Sequence, residues 1–192
     1  MSLTEPQVLD ALREAGAILH GHFQLTSGRH SGTYVQCARV LEDPALTTEL
    51  GRAMAEAVAD REIDVVAAPA VGGIIIGFAV AQALGVRFIF SERKLGEMTF
   101  RRGFSVAPGE RVLVVEDVVT TGGSVAEVID LVRAAGGDPV AVTSIIDRGG
   151  DKAFDLDYLP LLRLEVESME PGSCPPCAAG IPIDSPGSRH LG

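Results

Sequence analysis

From residue 60 onward the chain repeats one rhythm: a short apolar run, a glycine-rich or polar turn, then a stretch with helical spacing. The apolar runs fall at residues 63–68, 86–90, 111–115 and 139–146, and helices are predicted over 74–84 and 124–135. Runs that are apolar throughout, rather than at alternate positions, belong to strands buried on both faces. Such strands alternating with helices form a parallel sheet covered on both sides. The rhythm therefore predicts an α/β fold of Rossmann-like character, with a central parallel sheet flanked by helices.

The first 60 residues behave differently. Thr4 followed by Gln7 has the form of a capping box, and Val8, Leu9, Leu12 and Ala15 recur at helical spacing until Gly16. From His20 to Gln36 a short pattern punctuated by Gly and Ser suggests strands and a turn. Asp43-Pro44 then opens a helix with Leu46, Leu50 and Met54 on one face. Two stretches escape the rhythm. Residues 91–103 are polar, carry four basic groups and read as a mobile surface loop. Residues 171–192 are rich in Pro, Gly and Ser without periodicity and read as an irregular arm. The expected division is a single domain over 1–170, with a hood mainly from 1–40 and a core over about 41–165, followed by that arm.

Composition narrows the function. Of 192 residues, 46% are hydrophobic, enough to bury a core. Sixteen basic against 26 acidic side chains leave a net charge of −10, which argues against nucleic acid as the main partner. Anionic small molecules remain open, because N–H groups, arginines or Mg²⁺ can reverse the local sign inside a cleft. No run of about 18 apolar residues suggests a membrane span. The first residues, Met1 to Pro6, do not resemble a signal peptide, and three cysteines do not form a disulfide framework, so a cytoplasmic location is expected.

The segment with the most chemical content is Val112 to Ser124. A buried strand delivers Glu116 and Asp117 to the sheet edge where ligands bind in open α/β folds. Thr120, Thr121, Gly122, Gly123 and Ser124 follow at the mouth of a helix. Glycines let the backbone approach a phosphate, and the helix N-terminus offers N–H donors and a favourable dipole. Two carboxylates beside an anion cradle make sense if a neutral diol lies against them and the phosphate lies beyond. Ribose 5-phosphate has that layout. Neither G-x-x-x-x-G-K-[ST] nor G-x-G-x-x-G occurs here.

This segment resembles the phosphoribosyl pyrophosphate (PRPP) motif of type I phosphoribosyltransferases, a likeness that covers nearly the whole chain except the arm. The resemblance implies that Glu116 and Asp117 hold the ribose hydroxyls, and that Val118, Val119 and Thr120 to Ser124 complete the PRPP site around the 5-phosphate. Ala70, Val71 and Gly72, in the Gly-rich turn after residues 63–68, would then bind pyrophosphate, in the family often through an unusual peptide geometry.

Three segments resemble the orotate-specific branch. The hood segment Gly21 to Ser31 implies a cover over the base, with Thr26, Ser27 and Gly28 as contacts, Arg29 as a further donor and Tyr34 as a stacking face. Arg148 matches the arginine that contacts orotate, and Thr120 would touch the base as well. Arg93 and Lys94 match an arginine–lysine pair placed on pyrophosphate, on a loop that reaches the partner's site in a homodimer. The pattern departs from the family at Glu97-Met98-Thr99, where a lysine and a histidine are common, with Arg101-Arg102 beyond. It departs again at Val71-Gly72 and Thr26, where lysines are frequent.

By this likeness the residues carrying the reaction are Asp117, Glu116 and Lys94, and the cofactor is Mg²⁺, held mainly by pyrophosphate and ribose hydroxyls rather than by protein ligands. A phosphoribosyltransferase for another base and a PRPP-binding regulator without catalysis are the alternatives. In the arm, Cys174-Pro-Pro-Cys177 has the spacing of half a zinc site with His190 as a third candidate ligand. With no second pair evident, an arm simply packed on the body is expected. Cys37 reads as a buried small apolar residue.

Overall fold

The computed structural model describes residues 3–25, 27–149 and 154–186. Its centre is a six-stranded sheet in the order β5-β4-β3-β6-β7-β8. The strands are β3 (Val65–Pro69), β4 (Arg87–Lys94), β5 (Glu97–Phe100), β6 (Arg111–Val119), β7 (Asp138–Asp147) and β8 (Tyr158–Arg163). All neighbours run parallel except β5, which pairs antiparallel with β4. Every residue of β3 is buried, as its uninterrupted apolar run predicts.

Helices α3 (Pro44–Ala57) and α4 (Gly73–Leu84) pack together, and their apolar residues join β3, β6 and β7 in one buried cluster that includes Leu50, Met54, Ile76 and Leu113. Helix α5 (Gly123–Ala134) covers the opposite face, where Val125, Val128, Ile129 and Val132 meet Val112 and Val114. The predicted helix starts hold. The Asp43 carboxylate accepts from the N–H groups of Ala45 and Leu46, at 2.8 and 3.2 Å, at the head of α3. At the head of α1 (Glu5–Glu14), the N–H of Thr4 donates to Gln7 Oε1 at 2.9 Å. The short α2 (Ala38–Leu41) leads into α3.

Three expectations need correction. Residues 91–103 do not form a loose loop: β4 continues to Lys94 and turns back into β5. Leu95 and Gly96 both take positive φ, 54° and 88°, the geometry of a two-residue turn whose twist matches its strands. The polar residues concealed the strand because an edge hairpin has solvent on its outer side. The third predicted strand also runs further, to Val119, so Glu116 and Asp117 lie within β6 rather than beyond it. Finally, β8 was not foreseen, since Pro160 breaks its pattern; an edge strand tolerates a proline.

The hood is a separate two-stranded sheet of β1 (Ile18–Gln24) and β2 (His30–Val35). The arm contributes a single 3₁₀ turn at Pro171–Ser173 and the four-residue α6 (Pro175–Ala178). Isolated bridges tie the arm to the hood, Phe23 to Asp184, and the segment just before the arm as well, His30 to Met169.

The α3–α4 contact depends on Gly51. A Cβ added there would lie 2.7 Å from Ala79 Cβ and 2.9 Å from the Ala79 carbonyl carbon, so the helices could not keep their approach. Gly51→Ala is expected to destabilise the chain by about 1–3 kcal/mol, the usual cost of overpacking, as read from its denaturant midpoint.

Candidate active site

In the central sheet, the connection from β3 through α4 leads outward to β4, whereas that from β6 through α5 leads the other way to β7. The strand order therefore reverses between β3 and β6, and the crevice beyond their C-terminal ends is where open α/β sheets bind ligands. Both glycine-rich motifs meet there. A Cβ on Gly72 would stand 2.7 and 2.8 Å from the two carboxylate oxygens of Asp117, and a Cβ on Gly73 would stand 3.1 Å from Glu116 Oε1. Only glycine lets the head of α4 rest against this acidic pair, and the helix N-terminus in turn favours negative charge beside it.

The carboxylates are held locally. The Asp117 N–H donates to Glu116 Oε1 at 3.1 Å, and the Val118 N–H donates to Asp117 Oδ1 at 2.8 Å. Burial raises the Asp117 pKa, and the hydrogen bonds it accepts only partly oppose that. Beyond Val118 and Val119 the chain leaves the sheet through exposed Thr120 and Thr121, and Gly122 takes φ 73° to launch α5. Gly123 and Ser124 form the first turn of the helix, whose leading N–H groups have no partner within the helix.

On the β3 side the Ala70–Val71 peptide bond is cis, and Val71 is 81% exposed. The turn is fastened by the Ala70 N–H, which donates to the Ser91 carbonyl at 2.8 Å. Ser91 itself is fully buried within β4, and its Oγ lacks a hydrogen-bond partner among the described residues. Nothing in the local sequence singled it out.

Arg148 follows β7, and its N–H donates to the Val119 carbonyl at 2.8 Å, fixing it beside the exit of β6. Its Nε is buried without a hydrogen-bond partner among the described residues. The neighbouring Asp147 carboxylate is engaged elsewhere, accepting from Arg163 at 2.6 Å and from the Gly149 N–H at 2.8 Å. Burial lowers the Arg148 pKa, with Tyr34 and Cys37 acting against it. Burial likewise raises that of Tyr34, which feels Arg148 and Asp117, and raises that of Cys37 strongly, with Asp117 and Glu116 adding to it. The second hood strand thus brings Tyr34 to the same edge as Asp117 and Arg148. Cys37 is buried, as expected, and its nearness to the acidic pair was not anticipated.

Ser27 and Gly28 occupy the turn between β1 and β2, closed by N–H donation from Leu25 to the Arg29 carbonyl and from Gly28 to the Leu25 carbonyl, both 2.8 Å. Thr26 lies outside the described residues. Arg29 is engaged within the chain: it donates to Ser168 Oγ and the Ser168 carbonyl, each at 2.8 Å, and pairs with Glu170, all in the segment just before the arm. Arg93 donates to the Gly96 carbonyl at 2.9 Å and to Glu127 on α5 at 2.6 Å, while Lys94 stands exposed beside the hairpin turn. Arg101 and Arg102 both pair with Glu92, at 3.5 and 2.7 Å.

The profile of the phosphoribosyl transferase domain family matches residues 37–159, which span both motifs and the whole sheet edge. The chain belongs to the phosphoribosyltransferase family, and its fold is the type I α/β fold of that family. Its relatives narrow the branch. A protein of Chlorobium phaeobacteroides (strain BS1) named orotate phosphoribosyltransferase is 52% identical over 190 residues, covering 98% of each chain. One of that name from Thermotoga maritima is 47% identical over 185 residues, covering 96% of this chain and 99% of its own. Among solved structures, the orotate phosphoribosyltransferase of Mycobacterium tuberculosis H37Rv in complex with inorganic phosphate superposes with a TM-score of 0.69. It is 29% identical and covers 83% of this chain and 95% of its own. Within the family, then, this is a member of the orotate phosphoribosyltransferase branch.

The raised Asp117 pKa has a testable sign. A carboxyl whose native pKa lies above its unfolded value stabilises the fold below the unfolded pKa, about 3.9, and loses that contribution as pH rises through the native one. Asp117→Asn cannot ionise. Without substrates it is expected to melt higher than the parent at neutral pH, on the order of 2–4 °C for each kcal/mol relieved, with the gap closing toward pH 4. Thermal melts across that range check it, and a parent that melts higher at pH 7 contradicts it.

Proposed function

We propose that this chain transfers the 5-phosphoribosyl group from PRPP to orotate, giving orotidine 5′-monophosphate and pyrophosphate in pyrimidine biosynthesis. The observation carrying this reading is the contact of Asp117 and Glu116 with Gly72 and Gly73, which joins a diol-binding acidic pair, a phosphate cradle and a pyrophosphate turn in one crevice. The membership of the orotate branch supports the choice of base.

In this reading Glu116 and Asp117 accept from the ribose 2- and 3-hydroxyls, and residues 120–124 hold the 5-phosphate against the head of α5. Ala70, Val71 and Gly72 line the pyrophosphate end. Orotate lies between Tyr34, the turn at Ser27 and Gly28, and Arg148, whose guanidinium, with its Nε unmatched among the described residues, meets the carboxylate of the base. A ring nitrogen of orotate attacks the anomeric carbon as the bond to pyrophosphate breaks, and the electron pair leaves on pyrophosphate. Positive charge spreads over the ribose in between, and the ionised acidic pair beside it lowers that barrier without a protein nucleophile.

The donor set suits Mg²⁺: two adjacent carboxylates beside a pyrophosphate site are the usual setting for an ion that keeps substrate oxygens and water as its ligands. Bound with pyrophosphate, it would neutralise leaving-group charge. We place the enzyme in the cytoplasm as a homodimer. No helix among the described residues is long and apolar enough to cross a membrane. The N-terminal part of α4 presents exposed Ile75 and Phe78 one turn apart, next to Val71, a face suited to a second copy. The β4–β5 hairpin, with Arg93 and Lys94 at its end, would then complete the partner's pyrophosphate site.

Loss of orotate absorbance with PRPP and Mg²⁺, run beside uracil and hypoxanthine, tests the activity; turnover confined to another base would refute it. Arg148→Ala is expected to raise KM for orotate by about 10- to 100-fold, the worth of a charge-assisted hydrogen bond, while KM for PRPP stays within about threefold. The shared site has its own check. Inactive Lys94→Ala and inactive Asp117→Asn, mixed and allowed to exchange, should recover about a quarter of parental activity, because random pairing leaves one intact site in half the dimers. No recovery despite exchange would confine Lys94 to its own subunit.

A further inference from the structure

Outside the crevice, one group of side chains converges without any part in the proposed reaction. His22 on β1, His30 at the start of β2, and Cys174 and Cys177 of the arm place one nitrogen or sulfur each within 4.8 Å of all the others. His22, His30 and Cys174 are buried, and the two thiols are free rather than joined. The sequence offered the cysteine pair and suggested His190 as a third ligand. His190 lies outside the described residues, and the missing pair comes instead from the hood, some 150 positions away.

Hydrogen bonding does not account for the convergence. His22 Nδ1 lies 2.9 Å from the Ile181 carbonyl oxygen, which can only accept, so Nδ1 carries the proton and Nε2 presents a single lone pair. Yet three atoms crowd that Nε2: His30 Nδ1 at 3.2 Å, Cys174 Sγ at 3.3 Å and Cys177 Sγ at 3.6 Å. Cys177 Sγ is also 3.3 Å from His30 Nδ1. One lone pair cannot serve three donors. The same distances are those between the corners of a zinc tetrahedron. With Zn–N near 2.05 Å and Zn–S near 2.3 Å, tetrahedral angles put nitrogens about 3.3 Å apart and nitrogen and sulfur about 3.5 Å apart. The Ile181 carbonyl supplies the outer contact that normally fixes a ligating imidazole.

We propose that His22, His30, Cys174 and Cys177 bind one Zn²⁺ in a closed structural site that staples the C-terminal arm to the hood. Four protein ligands leave no position for substrate or water, so the ion serves architecture rather than catalysis. The seam around it is already paired. The His30 N–H donates to the Met169 carbonyl and the Met169 N–H to that of His30, at 2.9 and 2.8 Å. The Asp184 N–H donates to the His22 carbonyl at 2.8 Å. A two-stranded sheet apart from the main one is marginal alone, and an ion bound only by the folded hood and arm stabilises both. Because His22 and His30 flank the turn bearing Ser27 and Gly28, the ion also stiffens the proposed orotate cover; this last consequence rests on the function proposed above.

The test begins with tag-free protein purified without chelators. Elemental analysis is expected to find about one zinc per chain, and Co²⁺ in its place should give the strong visible bands and thiolate charge-transfer absorption of a tetrahedral site. Cys177→Ser and His30→Ala should lose the metal, while His20→Ala, on the same strand but outside the cluster, should keep it. If those variants fail to fold, the Co²⁺ spectrum of the parent still decides. Folded protein with less than about 0.2 equivalents of any metal, a Cys174–Cys177 disulfide in the mass spectrum, or an octahedral Co²⁺ spectrum would overturn the site. None of these readouts depends on turnover. The stiffening of the hood is read separately: the metal-stripped enzyme should show KM for orotate raised several-fold with KM for PRPP little changed, and equal effects on both would overturn that role alone.

Discussion

The structure turns on the approach of two adjacent carboxylates, one buried and one partly buried, to the head of a helix. Glu116 and Asp117 are brought there by β6, the strand flanked by β3 and β7, and they can stay only because positions 72 and 73 carry no side chain. The sheet order, the glycine pair and the acidic pair therefore constrain one another. A larger residue at 72 displaces Asp117, a strand order without the reversal separates the two motifs, and uncharged residues at 116 and 117 remove the charge that the proposed function sets against a diol. Burial raises the Asp117 pKa, so the arrangement opposes its own ionisation. Stability is given up at the point where charge is needed, as is common where a site is built for chemistry.

The hood and the arm answer a different problem. The crevice at a sheet edge is open to water, and in the proposed function a base bound there needs a cover. The element proposed for that cover is a two-stranded hairpin outside the main sheet, marginal on its own. The arm supplies what the hairpin lacks. It pairs backbone to backbone at Gln24, whose N–H donates to the Asp184 carbonyl at 2.8 Å, while the segment leading into it pairs at His30 through Met169 and engages Arg29 through Ser168. The part of the sequence with the least periodicity thus secures the segment that needs it most.

What could be read in the sequence follows the range over which each signal acts. The strand-turn-helix segments 63–84 and 111–135 were legible because apolar runs, glycines and hydroxyls lie within a dozen residues of one another, and the resemblance to phosphoribosyltransferases rested on the same compact strings. The capping residues Thr4 and Asp43 were legible for that reason too. The β4–β5 hairpin was not, because an edge ribbon with solvent on one side shows neither an apolar run nor a strict alternation. Pairings between distant residues were out of reach altogether. Neither the cysteine pair nor the hood histidines show a full ligand set alone, and only the folded seam brings them together.

The two arginines nearest the proposed base show why residue type and place in the chain do not suffice to assign a role. Arg29 and Arg148 both sit in segments that resemble orotate enzymes, and either could meet a carboxylate. Their surroundings separate them. Arg29 has its charge and its donors taken up by Glu170 and Ser168, so a ligand would have to break an existing ion pair to use it. Arg148 is partly buried with its Nε unmatched, and the acid beside it in sequence is occupied by Arg163. A partly desolvated guanidinium with its Nε unmatched among the described residues is unfavourable, and in the proposed function a carboxylated base relieves that cost on binding. In the proposed function, recognition of the acid rests on what the protein withholds from Arg148 as much as on where it places it.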